Sequence, residues 1–269
     1  MRDPAHSRFS QVDASPLLRT FGRAARPLTI AAGLIVIWQM VVWLTGVPRF
    51  ILPGPAEVAV TWVERAPQIL GHAVTTVTEI LLGLVIGVGV GLSTALLLTA
   101  FRRVRPWLMP VLVVSQAIPV FALAPILVLW LGYGMASKVA MAALIIFFPV
   151  TSALYDGLRR VDPLWLDSAR TLGCDGWRLF ARVRLPAALP AFGSGLRVAT
   201  AVAPIGAVVG EWVGSSAGLG FLMLHANGRM QTGLMFASLL TLAVLSVALY
   251  SLVDLTLKRL TPWQVEDHA

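Results

Sequence analysis

A single cysteine, Cys174, among 269 residues excludes an intramolecular disulfide framework. Charge is nearly as scarce. Only 13% of the chain is Asp, Glu, Lys or Arg, against roughly 25% in a soluble domain. The four histidines show no metal-ligand spacing, and no Ser/His/Asp or Cys/His arrangement is evident, so the sequence offers neither a metal site nor a catalytic centre. No Gly-x-x-x-x-Gly-Lys-Ser/Thr run occurs, and ATP, if used, must be bound by another chain. What fills the space is apolar: 57% of residues are hydrophobic, with a mean hydropathy of +0.80. That is an all-α polytopic membrane protein. Its pI of 10.9 does not signal nucleic acid, because the basic residues sit at the ends of apolar runs and form no groove-tracking patch.

Six apolar runs are long enough to span a hydrocarbon core about 30 Å thick. They cover residues 28–47, 73–100, 106–131, 138–158, 191–213 and 234–257. Residues 1–27 read as a polar, basic tail without the apolar core of a signal peptide, and 258–269 as a second tail. Between the first two runs, residues 48–72 are punctuated by prolines. Apolar positions recur at helical spacing over 55–70, which predicts a helix lying along the membrane surface. In the second run Gly83, Gly87 and Gly91 make a small-residue row suited to close helix packing. The third run is broken by Pro110, Pro119 and Pro125, and residues 214–233 form a glycine-rich connector.

Six spans place both termini on one side. With that side inside, 17 of the 21 Lys and Arg residues fall in inner segments and 4 in outer ones, the bias expected of a cytoplasmic N-terminus.

One polar stretch interrupts the apolar pattern. Residues 162–190 carry Arg170, Arg178, Arg182 and Arg184 with Asp162, Asp167 and Asp175. Asp162 and Pro163 read as an N-cap followed by proline at the first helical position. The helix should run to about Leu172, where Gly173 supplies a left-handed stop. Asp175 should cap a second short helix ending before Pro186. The element is too short and too charged to cross a bilayer, so it belongs at an aqueous face.

Its spacing resembles the cytoplasmic-loop signature of ABC importer permeases, in which Glu-Ala-Ala, three residues, Gly, nine residues, Ile, one residue and Leu-Pro follow one another. Here Asp167, Ser168 and Ala169 precede Gly173 by three residues. Val183 follows after nine more, and then come Arg184, Leu185 and Pro186. The departures are Asp for Glu, Ser for Ala and Val for Ile. Ile51 to Pro55, Ile118-Pro119, Ala124-Pro125, Leu131 to Gly134, Gly195 to Arg197, Glu211 and Gly218 to Gly220 are similar to the nitrate/sulfonate/taurine-type members. Residues 115–138 and 203–231 are most similar to those assigned to thiamine-precursor (hydroxymethylpyrimidine) uptake.

The resemblance implies a type I permease with a core over 73–257 and a coupling loop over 159–190. It implies a multi-pass inner-membrane subunit that is not itself an enzyme and carries no cofactor. Its implied partners are two cytoplasmic ATPases, a periplasmic or lipid-anchored solute-binding protein and a second permease copy, most simply as a homodimer. The ATPase-coupling residues are then Asp167, Ser168, Ala169, Gly173, Val183, Leu185 and Pro186. A sulfonate, nitrate, taurine or riboflavin-like solute is the alternative cargo.

Candidates for the substrate path come from polar groups in apolar runs. Ser115 and Gln116 precede Pro119, where proline loosens the helix backbone. Glu79 and Glu211 are acids in spans, which are expensive there and call for pairing or function. A proton-coupled secondary transporter would want acids near mid-membrane and internal repeats; the acids here lie toward span ends and no repeat is evident. A membrane-embedded enzyme would need clustered acids or histidines at one face, and the aspartates of 162–175 already have cap or motif roles.

Overall fold

The computed structural model describes residues 16–263, with side chains from residue 29. Residues 1–15 of the expected N-terminal tail and 264–269 of the C-terminal tail lie outside the described residues. The chain divides into two units, Met1–Glu57 and Val58–Ala269. In the first unit, α1 spans Pro16–Thr45. Twelve residues of the expected tail, 16–27, are therefore helical. The apolar part with described side chains, Thr29–Thr45, is 17 residues long.

The helices that follow are α2 (Pro55–Glu64), α3 (Ala66–Ala100), α4 (Arg105–Ala117), α5 (Val120–Leu131), α6 (Met135–Arg159), α7 (Pro163–Thr171), α8 (Gly176–Leu179), α9 (Leu185–Gly214), α10 (Leu219–Gly228) and α11 (Thr232–Leu260). The second unit contains four helical stretches long and apolar enough to cross a membrane: α3, α6, the 39-residue run Gly176–Gly214 that contains α9, and α11. The bent pair α4–α5 makes a fifth if counted as one span.

Two expectations of span geometry are corrected. The surface helix expected over 55–70 stops at Glu64, and the next helix begins at Ala66 rather than at residue 73. Hydrogen bonding is almost continuous across the junction: Arg65 N donates to Thr61 O, and Ile69 N donates to Arg65 O, both at 3.0 Å. Pro67 falls within the first two positions of α3, where a helix has no intrahelical use for an N–H. The second correction is the run 106–131, which is no single rod. Ile118 takes the extended conformation that precedes proline, and α4 and α5 meet at 100°. The interior prolines Pro110 and Pro125 stay within helices.

α6 is the hub, packed between α3 and α9. Both neighbours meet it through small residues. Gly83, Gly87 and Gly91 of α3 lie on Ala142, Ile146 and Val150, and a Cβ at Gly87 would stand 2.7 Å from Ile146 Cβ. From the other side a Cβ at Gly206 would stand 2.6 Å from Ala142 Cα, and one at Gly210 3.1 Å from Lys138 Cα. In lipid no hydrophobic gain accompanies helix contact, so close van der Waals approach carries the association. Alanines complete the seam: Ala142, Ala199, Ala203 and Ala207 are buried with Ile80, Ile146 and Val150. A second cluster, built on Leu98, Leu154, Tyr155 and Leu158, closes the end of the bundle that carries α7.

Candidate functional site

At that end, α7 follows α6 after a three-residue turn. The Asp162 carboxylate accepts the Leu164 N–H at 2.9 Å, and Pro163 opens the helix, as the sequence predicts. The stop is also as predicted. Gly173 has φ +76°, its N–H donates to Arg170 O at 2.9 Å, and Cys174 N donates to Ala169 O at 3.0 Å. This is the paired closure of a Schellman motif. Asp167 and Ser168 are exposed and Ala169 is half-buried. The Asp167 carboxylate pairs with Arg170 at 2.7 Å on the helix surface.

The second half differs from expectation. Asp175 stands at the N-cap of α8, but its side chain caps nothing. Nor does that helix end before Pro186. It passes through a wide π turn, Phe180–Arg184, in which Leu185 N reaches Phe180 O, and continues as α9. Pro186 has no N–H to give, and the extra residue in the turn absorbs its ring without a break. Val183 lies in that turn, with Leu185 and Pro186 just beyond, all half-buried. Arg184 fastens the turn to α6 through a 2.9 Å hydrogen bond to Leu158 O. The motif is thus one free helix, α7, hinged by glycine to a rigid extension of a long span.

Large apolar side chains crowd this polar end. Leu164, Trp165, Leu172 and Trp177 are 71%, 60%, 86% and 76% exposed. Trp165 stands between two open depressions. One of about 590 Å³ includes Asp156, Arg160 and Ser194, and one of about 310 Å³ includes Val183, Pro186 and Trp263. An exposed apolar patch set among charges is the form of a protein-contact surface.

The path candidates separate into two places. Gln116 and Pro119 are exposed at the α4–α5 bend, whereas the Ser115 hydroxyl is occupied with Leu112 O at 2.7 Å. Glu79 and Glu211 are brought together at the opposite end of the bundle, each at most 1% exposed. Both oxygens of Glu79 are buried without a hydrogen-bond partner among the described residues. Lys138 Nζ stands 3.5 Å from Glu79 Oε1. Glu211 Oε1 accepts from Thr76 Oγ1 at 2.6 Å, and its other oxygen accepts from Gly220 N and Phe221 N. Half of the connector 214–233 is therefore helical, as α10, held by that carboxylate.

The sequence places Lys138 at the start of the run 138–158, counted among the four outer charges, and gives no role to His72 or Thr76. The signal available was that an acid in a span needs a partner. Asp254, on α11, has one too: Arg197 Nε donates to it at 2.7 Å. Among the described residues no group of His, Cys, Asp and Glu is placed to hold a metal ion.

Residues 83–264 match the family described as binding-protein-dependent transport system inner membrane component. A probable ABC transporter permease protein of Haemophilus influenzae is 55% identical over 243 residues, covering 90% of this chain and 99% of the relative. The riboflavin transport system permease protein of Chloroflexus aurantiacus is 39% identical, covering 88% of this chain and 89% of the relative. The formylaminopyrimidine transport permease protein of Halalkalibacterium halodurans is 35% identical, covering 90% and 97%. In three dimensions the chain resembles the crystal structure of an amino acid ABC transporter with histidines. There the TM-score is 0.58 at 19% identity, over 76% of this chain and 98% of the other. The fold is that of a type I permease, and its relatives are transport subunits rather than enzymes. The chain belongs to the binding-protein-dependent transport family and is the multi-pass inner-membrane permease subunit of an ABC importer.

Proposed function

We propose that this permease works as a homodimer with two cytoplasmic ATPases and one external solute-binding protein, and that α7 is the coupling helix. The observation that carries this is α7 itself. It is a free helix with a capped start and a glycine hinge, and it displays large apolar side chains beside a π turn continuous with α9. A surface that apolar at a polar loop calls for a groove in a partner. A rigid continuation into a span gives that partner's motion a path to the translocation helices. The excess of Lys and Arg at the α7 end supports placing that end, and both termini, in the cytoplasm. The ATPases bind the ATP, and the permease needs no cofactor.

The cargo proposed is a thiamine precursor of the hydroxymethylpyrimidine class. Similarity of residues 115–138 and 203–231 to permeases of that assignment supports it. A riboflavin, sulfonate, nitrate or taurine-type solute is the runner-up, and relatives named for riboflavin, aliphatic sulfonates and taurine, at 39%, 33% and 28% identity, support the first, second and last of these. Co-reconstitution with the ATPase and binding protein in proteoliposomes tests the class. ATP-dependent uptake that requires the binding protein is expected, and uptake driven by a proton gradient alone would mean a secondary transporter. Thermal shift of the binding protein against pyrimidines, riboflavin, taurine and alkanesulfonates tests the cargo. Stabilisation by a sulfonate and not by a pyrimidine reverses the order.

A further inference from the structure

At the end opposite α7, four consecutive backbone N–H groups open α10, and side chains from two other helices accept all four. Gly218 N donates to His72 Nδ1 at 3.0 Å, and Leu219 N donates to Thr76 Oγ1 at 2.8 Å. Gly220 N and Phe221 N both donate to Glu211 Oε2. Helix starts leave such groups without intrahelical partners, and one capping side chain usually serves one or two of them. Here α3 and α9 supply the whole cap between them. Thr76 joins the two halves by donating its own hydroxyl proton to Glu211.

The fit is close enough to dictate sequence. Gly218 has φ +113°, and a Cβ there would overlap the Glu211 carboxyl. A Cβ at Gly220 would stand 2.8 Å from Glu211 Oε2. The carboxylate thus lies flush against the backbone of residues 218–221, and the Glu79–Lys138 pair beside it adds α6 to the same unit. A buried charge in a membrane span is costly where neutral packing would serve for adhesion alone. What a charged cap adds is direction. The positive end of the α10 dipole points at one carboxylate, which fixes the angle of the helix. The far end of α10 lies at the surface of the bundle. There Asn227 and Arg229 are exposed, and Met230 is 63% exposed with φ +58°.

We propose that Glu211 is a positioning residue for transport. It sets the pose in which α10 meets the loaded binding protein and ties that pose to α3, α6 and α9. This rests on the importer reading above. The test uses the whole complex in nanodiscs at matched permease content, as wild type, Glu211→Gln and Glu211→Ala. ATP hydrolysis is measured without binding protein and across a titration of loaded binding protein.

Basal hydrolysis should agree within about twofold, since the α7 end is untouched. Glu211→Ala should raise the binding-protein concentration for half-maximal stimulation about tenfold or more, as the two charge-assisted hydrogen bonds to α10 are lost along with that to Thr76. Glu211→Gln should stay nearer wild type, because its carboxamide oxygen still accepts from Gly220 and Phe221 while its amide donates to Thr76. An unchanged half-stimulating concentration in Glu211→Ala overturns the proposal. So does a parallel fall in yield, basal rate and stimulated rate, which is the mark of a folding residue. If Glu211→Ala does not assemble, Gly220→Ala carries the same comparison, because it displaces the carboxylate without removing it. A wild-type complex indifferent to its binding protein overturns the importer reading itself, and this inference with it.

Discussion

Glu79 and Lys138 form an ion pair of 3.5 Å between α3 and α6, with 0% and 6% of their side chains exposed. Among the described residues Lys138 is the one cation within ion-pair distance of Glu79. Removing one member of such a pair costs about 3–5 kcal/mol, because it strands the other charge. Lys138→Met and Glu79→Gln should each lower the thermal stability of the purified complex. The double variant Glu79→Gln/Lys138→Met, which strands neither, should melt closer to wild type than Lys138→Met does. Melting all of these in one detergent checks this, and additive losses would mean the two residues do not act as a pair.

The glycine seam makes a sharper contrast. Gly87 and Gly89 lie on one helix two residues apart, yet a Cβ at Gly87 collides with Ile146 while nothing stands within 4 Å of one at Gly89. Gly87→Val should cost about 1–3 kcal/mol or more by overpacking and reduce the yield of folded complex. Gly89→Val should leave it unchanged. Size-exclusion profiles of the two variants decide the matter.

Coupling is tested at the hinge. A side chain at Gly173 costs roughly 1–2 kcal/mol in the left-handed region, too little to prevent insertion of the spans but enough to re-aim α7. Gly173→Val should reach the membrane and lose binding-protein-stimulated ATP hydrolysis. Asp167→Lys should do so more mildly, because the Asp167–Arg170 pair is over half exposed and contributes little to stability. Full stimulation in Gly173→Val would show that another element transmits the signal.

At the α4–α5 bend, Gln116 is free to face a solute, while the Ser115 hydroxyl is committed to its own helix backbone. Gln116→Leu should lower uptake with complex yield and basal hydrolysis intact, and Ser115→Ala should change uptake less. Uptake assays on liposomes of equal permease content separate these outcomes. Equal uptake by Gln116→Leu and wild type would remove Gln116 from the path.

Local rules carried much of this architecture. The apolar runs, the Asp162-Pro163 start of α7, its stop at Gly173 and the packing role of Gly83, Gly87 and Gly91 all depend on residues within a few positions of one another, or on a repeat that only a helix can bring to one face. The sequence therefore determined the class of the protein and the free helix at its polar loop.

Tertiary structure decided what depends on distant partners. That Pro186 does not end a helix follows from a π turn pinned to Leu158 O by Arg184, a contact across 26 residues. That α4 and α5 turn by 100° was hidden because prolines at 110, 119 and 125 look alike in sequence, although only Pro119 follows an extended residue in the fold. Glu79 and Glu211 stood out as two isolated acids 132 positions apart. Only the close approach of α3, α6 and α9 over glycine and alanine joins Glu79 to Lys138 and lets Glu211 cap α10, because a buried charge takes its partner from whatever helix packing places beside it.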